Sequence, residues 1–229
     1  MAPGAMPIEV LMTDLLQLLG NALPILLHAT GWTLVFAVSA MLGGMLVATV
    51  VTFLRLLGPS WLSRLLGLYI SAFRGTPLLV QVFVIYYGLP SIGIQFEPLP
   101  AGVLALSLNA GAYLAESLRG AIAGVAVGQW QAAASLGLSR PQALRYIIAP
   151  QALRLALPSL GNTLISLIKD TSLVSVIAVT ELMLATKELI STSFRPLPLY
   201  LAAAAIYWLL SVALEQLQKR LEARLALQR

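Results

Sequence analysis

Lys169 and Asp170 sit side by side within a long apolar run, and of all the side chains in this sequence they are the best placed to do chemistry. Counted from Pro158, Lys169 lies eleven residues in. At about 1.5 Å per residue that is about 16 Å, close to the middle of a hydrocarbon core of about 30 Å. Charge at such depth is costly, so an ionisable residue there faces a cavity or a partner. Adjacent helical residues point about 100° apart, so the two cannot both face one target squarely. Two readings stand: one residue lines a pathway while the other ties its helix to a neighbour, or the two form a structural charge pair within a helix bundle. Thr163 and Ser166 precede Asp170 on the same helical face, a stripe able to offer two hydroxyls and a carboxylate to a zwitterion. Thr76 and Gln81 belong to an earlier apolar stretch, and Gln81 is the natural counterpart from that helix. Hydroxyls in membrane helices also bond back to their own backbone or join helices together. No acid lies between Leu155 and Ile168. A site for a cationic side chain would want one, so the stripe suits a neutral zwitterion better than a cation.

Other chemistries find few residues to use. The sequence has no cysteine and one histidine, His28, which reads as a polar anchor at a membrane interface. It shows no His/Cys metal cluster, no paired carboxylates at useful spacing and no convincing Ser-His pair, so neither a catalytic nor a metal-ligating set is expected. No G-x-x-x-x-G-K-[ST] loop occurs, and ATP cannot be bound and split by that route. Residues 1–20 contain Glu9 and Asp14 and lack a basic start, so they do not read as a signal peptide.

The elements that must position these residues are membrane helices. Of 229 residues, 59% are hydrophobic and only 10% charged, with mean hydropathy +0.89, which excludes a soluble domain and leaves an all-α polytopic membrane protein. Residues 1–24 carry a helical period with a polar side over 8–19, the pattern of an interfacial helix. The membrane domain, residues 25–218, divides into five transmembrane helices at about 25–54, 77–92, 100–118, 158–179 and 198–214. Gly31, Gly43 and Gly44 of the first permit close helix approach. Trp61 begins an amphipathic elbow before the second, which Thr76 and Pro77 open as N-cap and N1. Basic residues concentrate in the first loop, in the island 128–150 and in the tail 219–229. By the positive-inside rule the N-terminus is outside and the C-terminus cytoplasmic. Glu116 and Arg119, at i and i+3, can pair with each other or with the flanks of the island.

The island itself, Gln131–Pro150, is too polar to cross a bilayer and reads as two short helices with a hinge. Gly137 is placed to end the first, and Ser139 with Gln142 forms an S-x-x-Q capping box that starts the second. Pro141 sits in the new first turn and Pro150 closes the segment. Gln131-Ala132-Ala133, then Gly137, then Ile147 and Pro150 keep the spacing of the EAA loop, so the segment resembles the coupling loop of ABC import permeases. Gln131 stands where the family has Glu, and Ala149 where it has Leu. YISAFRGTPLLVQVFVIYYGLP at 69–90, Ala112–Ile122 and K-D-T-S-L at 169–173 are similar to signatures of the polar amino acid branch, and most similar to those of L-cystine permeases.

This resemblance implies a type I importer permease (MetI-like) fold in a bacterial inner membrane. It implies no enzyme in this chain and no cofactor of its own, with ATP and Mg on separate cytoplasmic ATPase subunits that receive the 131–150 loop. It further implies an extracytoplasmic solute-binding protein and a second permease subunit, a homodimer in cystine-type systems. Histidine, arginine/lysine/ornithine and glutamine permeases share much of the wording and are the alternatives in substrate. A passive channel is the alternative in class, and it leaves the hinged loop without a purpose.

Overall fold

The computed structural model describes residues 8–226, which form nine α-helices joined by short turns. Helix α1 (Ile8–Leu57) is 50 residues long, or about 75 Å, far more than a bilayer core requires. The segment expected as a separate interfacial helix is therefore the first part of one continuous helix. Pro24 costs it a backbone donor without stopping it. The cause is tertiary: Ala22 and Leu26 are buried in a small core with Leu182, Leu199 and Ala203, so packing holds the helix straight through the weak point.

Amphipathic α2 (Ser60–Gly75) follows, and at a 110° bend it leads into α3 (Leu78–Phe83), which runs on through a π turn (Val84–Gly88) and a 3-10 turn (Leu89–Ile92). Helix α4 (Pro98–Ala123) is the centre of the molecule, packed against α1, α2, α3 and α7. Its seam with α1 is built from small residues: a Cβ placed on Gly44 would stand 2.9 Å from the Ala110 Cβ, and one on Gly111 would stand 2.7 Å from Val47 Cγ1. Gly43 is equally tight against Ser107, whereas Gly31 faces open space and has no part in the seam.

Short α5 (Val127–Ser135) and α6 (Arg140–Ala143) form the hairpin, and a π turn (Leu144–Ile148) leads directly into α7 (Ala149–Asp170). Two expectations are corrected here. Pro150 does not close the hairpin but lies within a helical run from Arg140 to Asp170, just after the π turn that already interrupts the regular hydrogen-bond ladder. Pro158 lies inside α7 and does not open it, so Lys169 stands next to the helix's end, about 30 Å from Ala149. Beyond Asp170 the chain tightens into a 3-10 helix (Thr171–Ile177), then forms α8 (Leu182–Ser193) and long α9 (Pro196–Ala226). Four helical segments are long and apolar enough to cross a membrane, and the bent pair Ser60–Gly75 with Leu78–Ile92 makes up to five.

Candidate functional site

Helices α3, α4 and α7 enclose a cleft of about 580 Å³, in the range of small-molecule sites. Its α7 wall is a polar stripe: Ser159, Asn162, Thr163, Ser166, Lys169 and Asp170 recur at helical spacing on one face. Thr76 forms the α2–α3 corner, and Asn109 and Tyr113 come from α4. Five of the six residues singled out in the sequence thus meet in one cavity.

Gln81 does not line the cleft. It is buried behind it, where its Nε2 donates to the Phe73 carbonyl at 2.8 Å, to the Thr76 carbonyl at 3.1 Å and to Thr76 Oγ1 at 3.0 Å. Its Oε1 accepts from Asn109 Nδ2 at 3.0 Å. Gln81 therefore locks the α2–α3 corner to α4 and holds both Thr76 and Asn109 where they face the cleft. The hydroxyls divide in the same way. Thr163 Oγ1 donates to the Ser159 carbonyl at 3.0 Å and Thr76 Oγ1 to the Ala72 carbonyl at 2.8 Å, bonds within their own turns that still leave lone pairs toward the cavity. Ser117 and Ser159 bridge α4 to α7 through hydroxyls 2.6 Å apart.

Lys169 is exposed and Asp170 half-buried, and neither forms an ion pair among the described residues. Neither reading of the pair holds: the structural charge pair does not form, neither head is bonded to a neighbouring helix among the described residues, and both line the cleft from adjacent positions at the end of α7. The cleft has one anionic residue and one cationic residue on its lining. That is the complement of a molecule carrying both an ammonium and a carboxylate. The cation Arg74 lies at the rim, its guanidinium carbon 5.3 Å from the Tyr113 ring centroid.

The hairpin carries the chemistry its sequence announces. Gly137 has φ +71°, the Leu138 N–H donates to the Ala133 carbonyl at 3.1 Å and the Gly137 N–H to the Ala134 carbonyl at 3.0 Å, which is a Schellman ending for α5. Gln142 Oε1 accepts from the Ser139 N–H at 2.9 Å and from Ser139 Oγ at 2.8 Å, starting α6. Gln131 and Ala132 are exposed, Ala133 is fully buried and Ile147 packs against the core. Glu116 binds Arg119 as its spacing predicts, at 2.8 Å, and it also takes Arg55 of α1 at 2.9 Å. The three-charge node joins α1 to α4 without touching the hairpin.

A second polar node was not visible in the sequence. Glu181 is fully buried; its Oε1 accepts from the Leu184 N–H at 2.8 Å and its Oε2 from the Tyr207 hydroxyl at 2.7 Å, while the adjacent Leu182 N–H donates to Thr33 Oγ1 at 3.1 Å. These bonds tie α8 to α9 and α1. The one local signal was an acid, Glu181, directly before the run that forms α8.

A bundle of apolar helices around a polar cleft, with a stiff hinged hairpin at one end, defines a membrane permease. The chain belongs to the family of binding-protein-dependent transport system inner membrane components, whose pattern it matches over residues 40–227. It is 39% identical over 203 residues to the L-cystine transport system permease protein TcyB of Bacillus subtilis, covering 88% of this chain and 87% of that one. It is likewise 39% identical over 207 residues to the glutamine transport system permease protein GlnP of Escherichia coli, covering 89% and 94%. A crystal structure of an amino acid ABC transporter with histidines superimposes with a TM-score of 0.85 at 34% identity, covering 90% of this chain and 96% of that one. The chain is thus a permease subunit of an amino-acid ABC importer, a polytopic transport component and not an enzyme.

Proposed function

We propose that this permease carries L-cystine through the α3–α4–α7 cleft, with Asp170 and Lys169 addressing the ammonium and carboxylate ends of the amino acid. The observation that carries the reading is the cleft itself, in which one free acid, one free base and a stripe of hydroxyls face the same 580 Å³. Thr76, Thr163 and Ser166 supply neutral hydrogen bonds and Gln81 positions Thr76. L-cystine carries two ammonium and two carboxylate groups, so the one acid and one base of a single cleft address one half of it, and the matching pair of a second copy addresses the other.

Work enters through the hairpin. Gln131, Ala132, Ala133, Gly137, Ile147 and Pro150 form the EAA-type element that docks on a cytoplasmic ATPase, where ATP and Mg are held. This orientation puts the N-terminus outside and the tail in the cytoplasm. A solute-binding protein delivers cargo from outside, and a second copy of the chain completes the path as a homodimer. Glutamine is the second reading, because the glutamine permease is as similar as the cystine permease. Competition for uptake in proteoliposomes separates the two: excess cystine abolishes transport and excess glutamine does not. If glutamine or arginine competes and cystine fails to, the cystine reading is wrong.

A further inference from the structure

Besides the cleft, two adjoining cavities share walls and make up a groove beside the hairpin. The first, about 190 Å³, is an apolar slot between the last turns of α1, the end of α4 and the start of α7, with Met45, Phe53, Ile122 and Ala149 among its walls. The second, about 500 Å³, lies between the end of α1 and the hairpin, and is lined by Val127, Trp130, Ala134 and Arg140. Leu56 and Leu144 line both, so the slot and the wider cavity adjoin.

We propose that this groove binds one anionic phospholipid, an acyl chain in the slot and the phosphate at Arg140. Three observations point to that occupant. Along α1 the walls run from Met45 to Leu57, about 18 Å, slightly more than the roughly 15 Å depth of one leaflet. At the polar end stands a single cation with no acid on the lining. The nearby cations Arg55 and Arg119 are engaged by Glu116, whereas Arg140 makes no ion pair among the described residues. Trp130 beside it is a residue type that settles at headgroup level, and a basic pocket between membrane helices is a site of anionic headgroup recognition. The groove also uses a face of α5 that the partner-facing ridge does not. Val127, Trp130 and Ala134 share one side of the helix with Gln131 at its edge, and the exposed Ala132, Ser135 and Leu136 lie around the other. A lipid seated here touches α1 and the hairpin together and so stiffens the joint between them.

The test is native mass spectrometry of the purified full-length chain after exchange into detergent with equal phosphatidylglycerol and phosphatidylcholine. The unmodified chain retains one phosphatidylglycerol per subunit in preference to phosphatidylcholine. Arg140→Gln lowers that retention at least tenfold. Ala149→Phe, which fills the slot and leaves the cation in place, does the same. Arg145→Gln, a neighbouring cation outside the groove, retains the lipid. Equal retention of the two lipids by the unmodified chain, or undiminished retention in Arg140→Gln and Ala149→Phe, overturns the proposal. So does loss of ATPase co-purification in Arg140→Gln with lipid retention unchanged, because the groove would then belong to the ATPase. The readout requires no transport, so its failure is distinct from a failure of the amino acid reading.

Discussion

At the scale of single residues, side chains that line the cleft differ from those that hold them in place. Asp170→Asn and Lys169→Met each remove one end of the charge complement without removing bulk, so uptake falls by at least tenfold in each while the amount of folded protein in the membrane stays constant. Uptake at the original rate in both variants would take the pair out of the pathway. Gln81→Leu acts differently. It removes the Gln81 bonds to the Phe73 and Thr76 carbonyls and to the Asn109 amide, leaving the 3.2 Å bond from Asn109 Nδ2 to the Phe73 carbonyl at that corner, a loss of about 1 kcal/mol per bond, so a lower thermal midpoint accompanies its transport defect. Much of this was legible beforehand, because Thr163, Ser166 and Asp170 follow the helical period and needed only one helix to meet. Gln81 was misplaced for a physical reason: a polar residue in an apolar stretch is equally consistent with lining a cavity or tying a corner, and only its four hydrogen bonds decide. Glu181 was overlooked because its partner Tyr207 is 26 positions away. Tyr207→Phe should lower stability by about 1–3 kcal/mol by leaving Oε2 of that carboxylate unpaired, measured as a shift in the thermal unfolding of the purified chain.

At the scale of elements, the hairpin was the most legible part, since glycine at a helix end and a Ser/Gln box are local signals that no tertiary contact had to override. Gly137 at φ +71° is the position where only glycine is unstrained, and Gly137→Val costs about 1–2 kcal/mol or more, read as earlier protease cleavage between α5 and α6. Exposure also selects the site for a coupling test. Ala133 is fully buried, so a bulky residue there would break the hairpin itself. Ala132 is exposed on the same helix and is the informative site. Helix ends were less legible. Pro24 and Pro158 look like boundaries in a sequence, yet both lie inside helices that neighbouring helices hold together. The α1–α4 seam makes the complementary prediction: Gly44→Leu forces a side chain into the Ala110 methyl and destabilises by about 1–3 kcal/mol, whereas Gly31→Leu, which meets nothing, is silent in the same unfolding assay.

At the scale of the whole molecule, the arrangement is one of two working ends connected by rigid helices. The 3-10 turn and the cleft lie at one end of α7, and the hairpin lies at the other, joined through a π turn and 22 residues of helix. Helix α4 packs along α7 and carries the Arg55–Glu116–Arg119 node near the hairpin end and Asn109 at the cleft. A displacement of the hairpin therefore has a stiff path to the cavity walls. Substrate-driven ATP hydrolysis in proteoliposomes containing this permease and an ABC ATPase tests most directly whether work done on the exposed face of α5 moves the cleft. Ala132→Trp is expected to abolish both ATPase stimulation by the delivered amino acid and uptake, with the permease still inserted and folded. Stimulation and uptake at the unmodified level in that variant would disconnect the hairpin from the cleft.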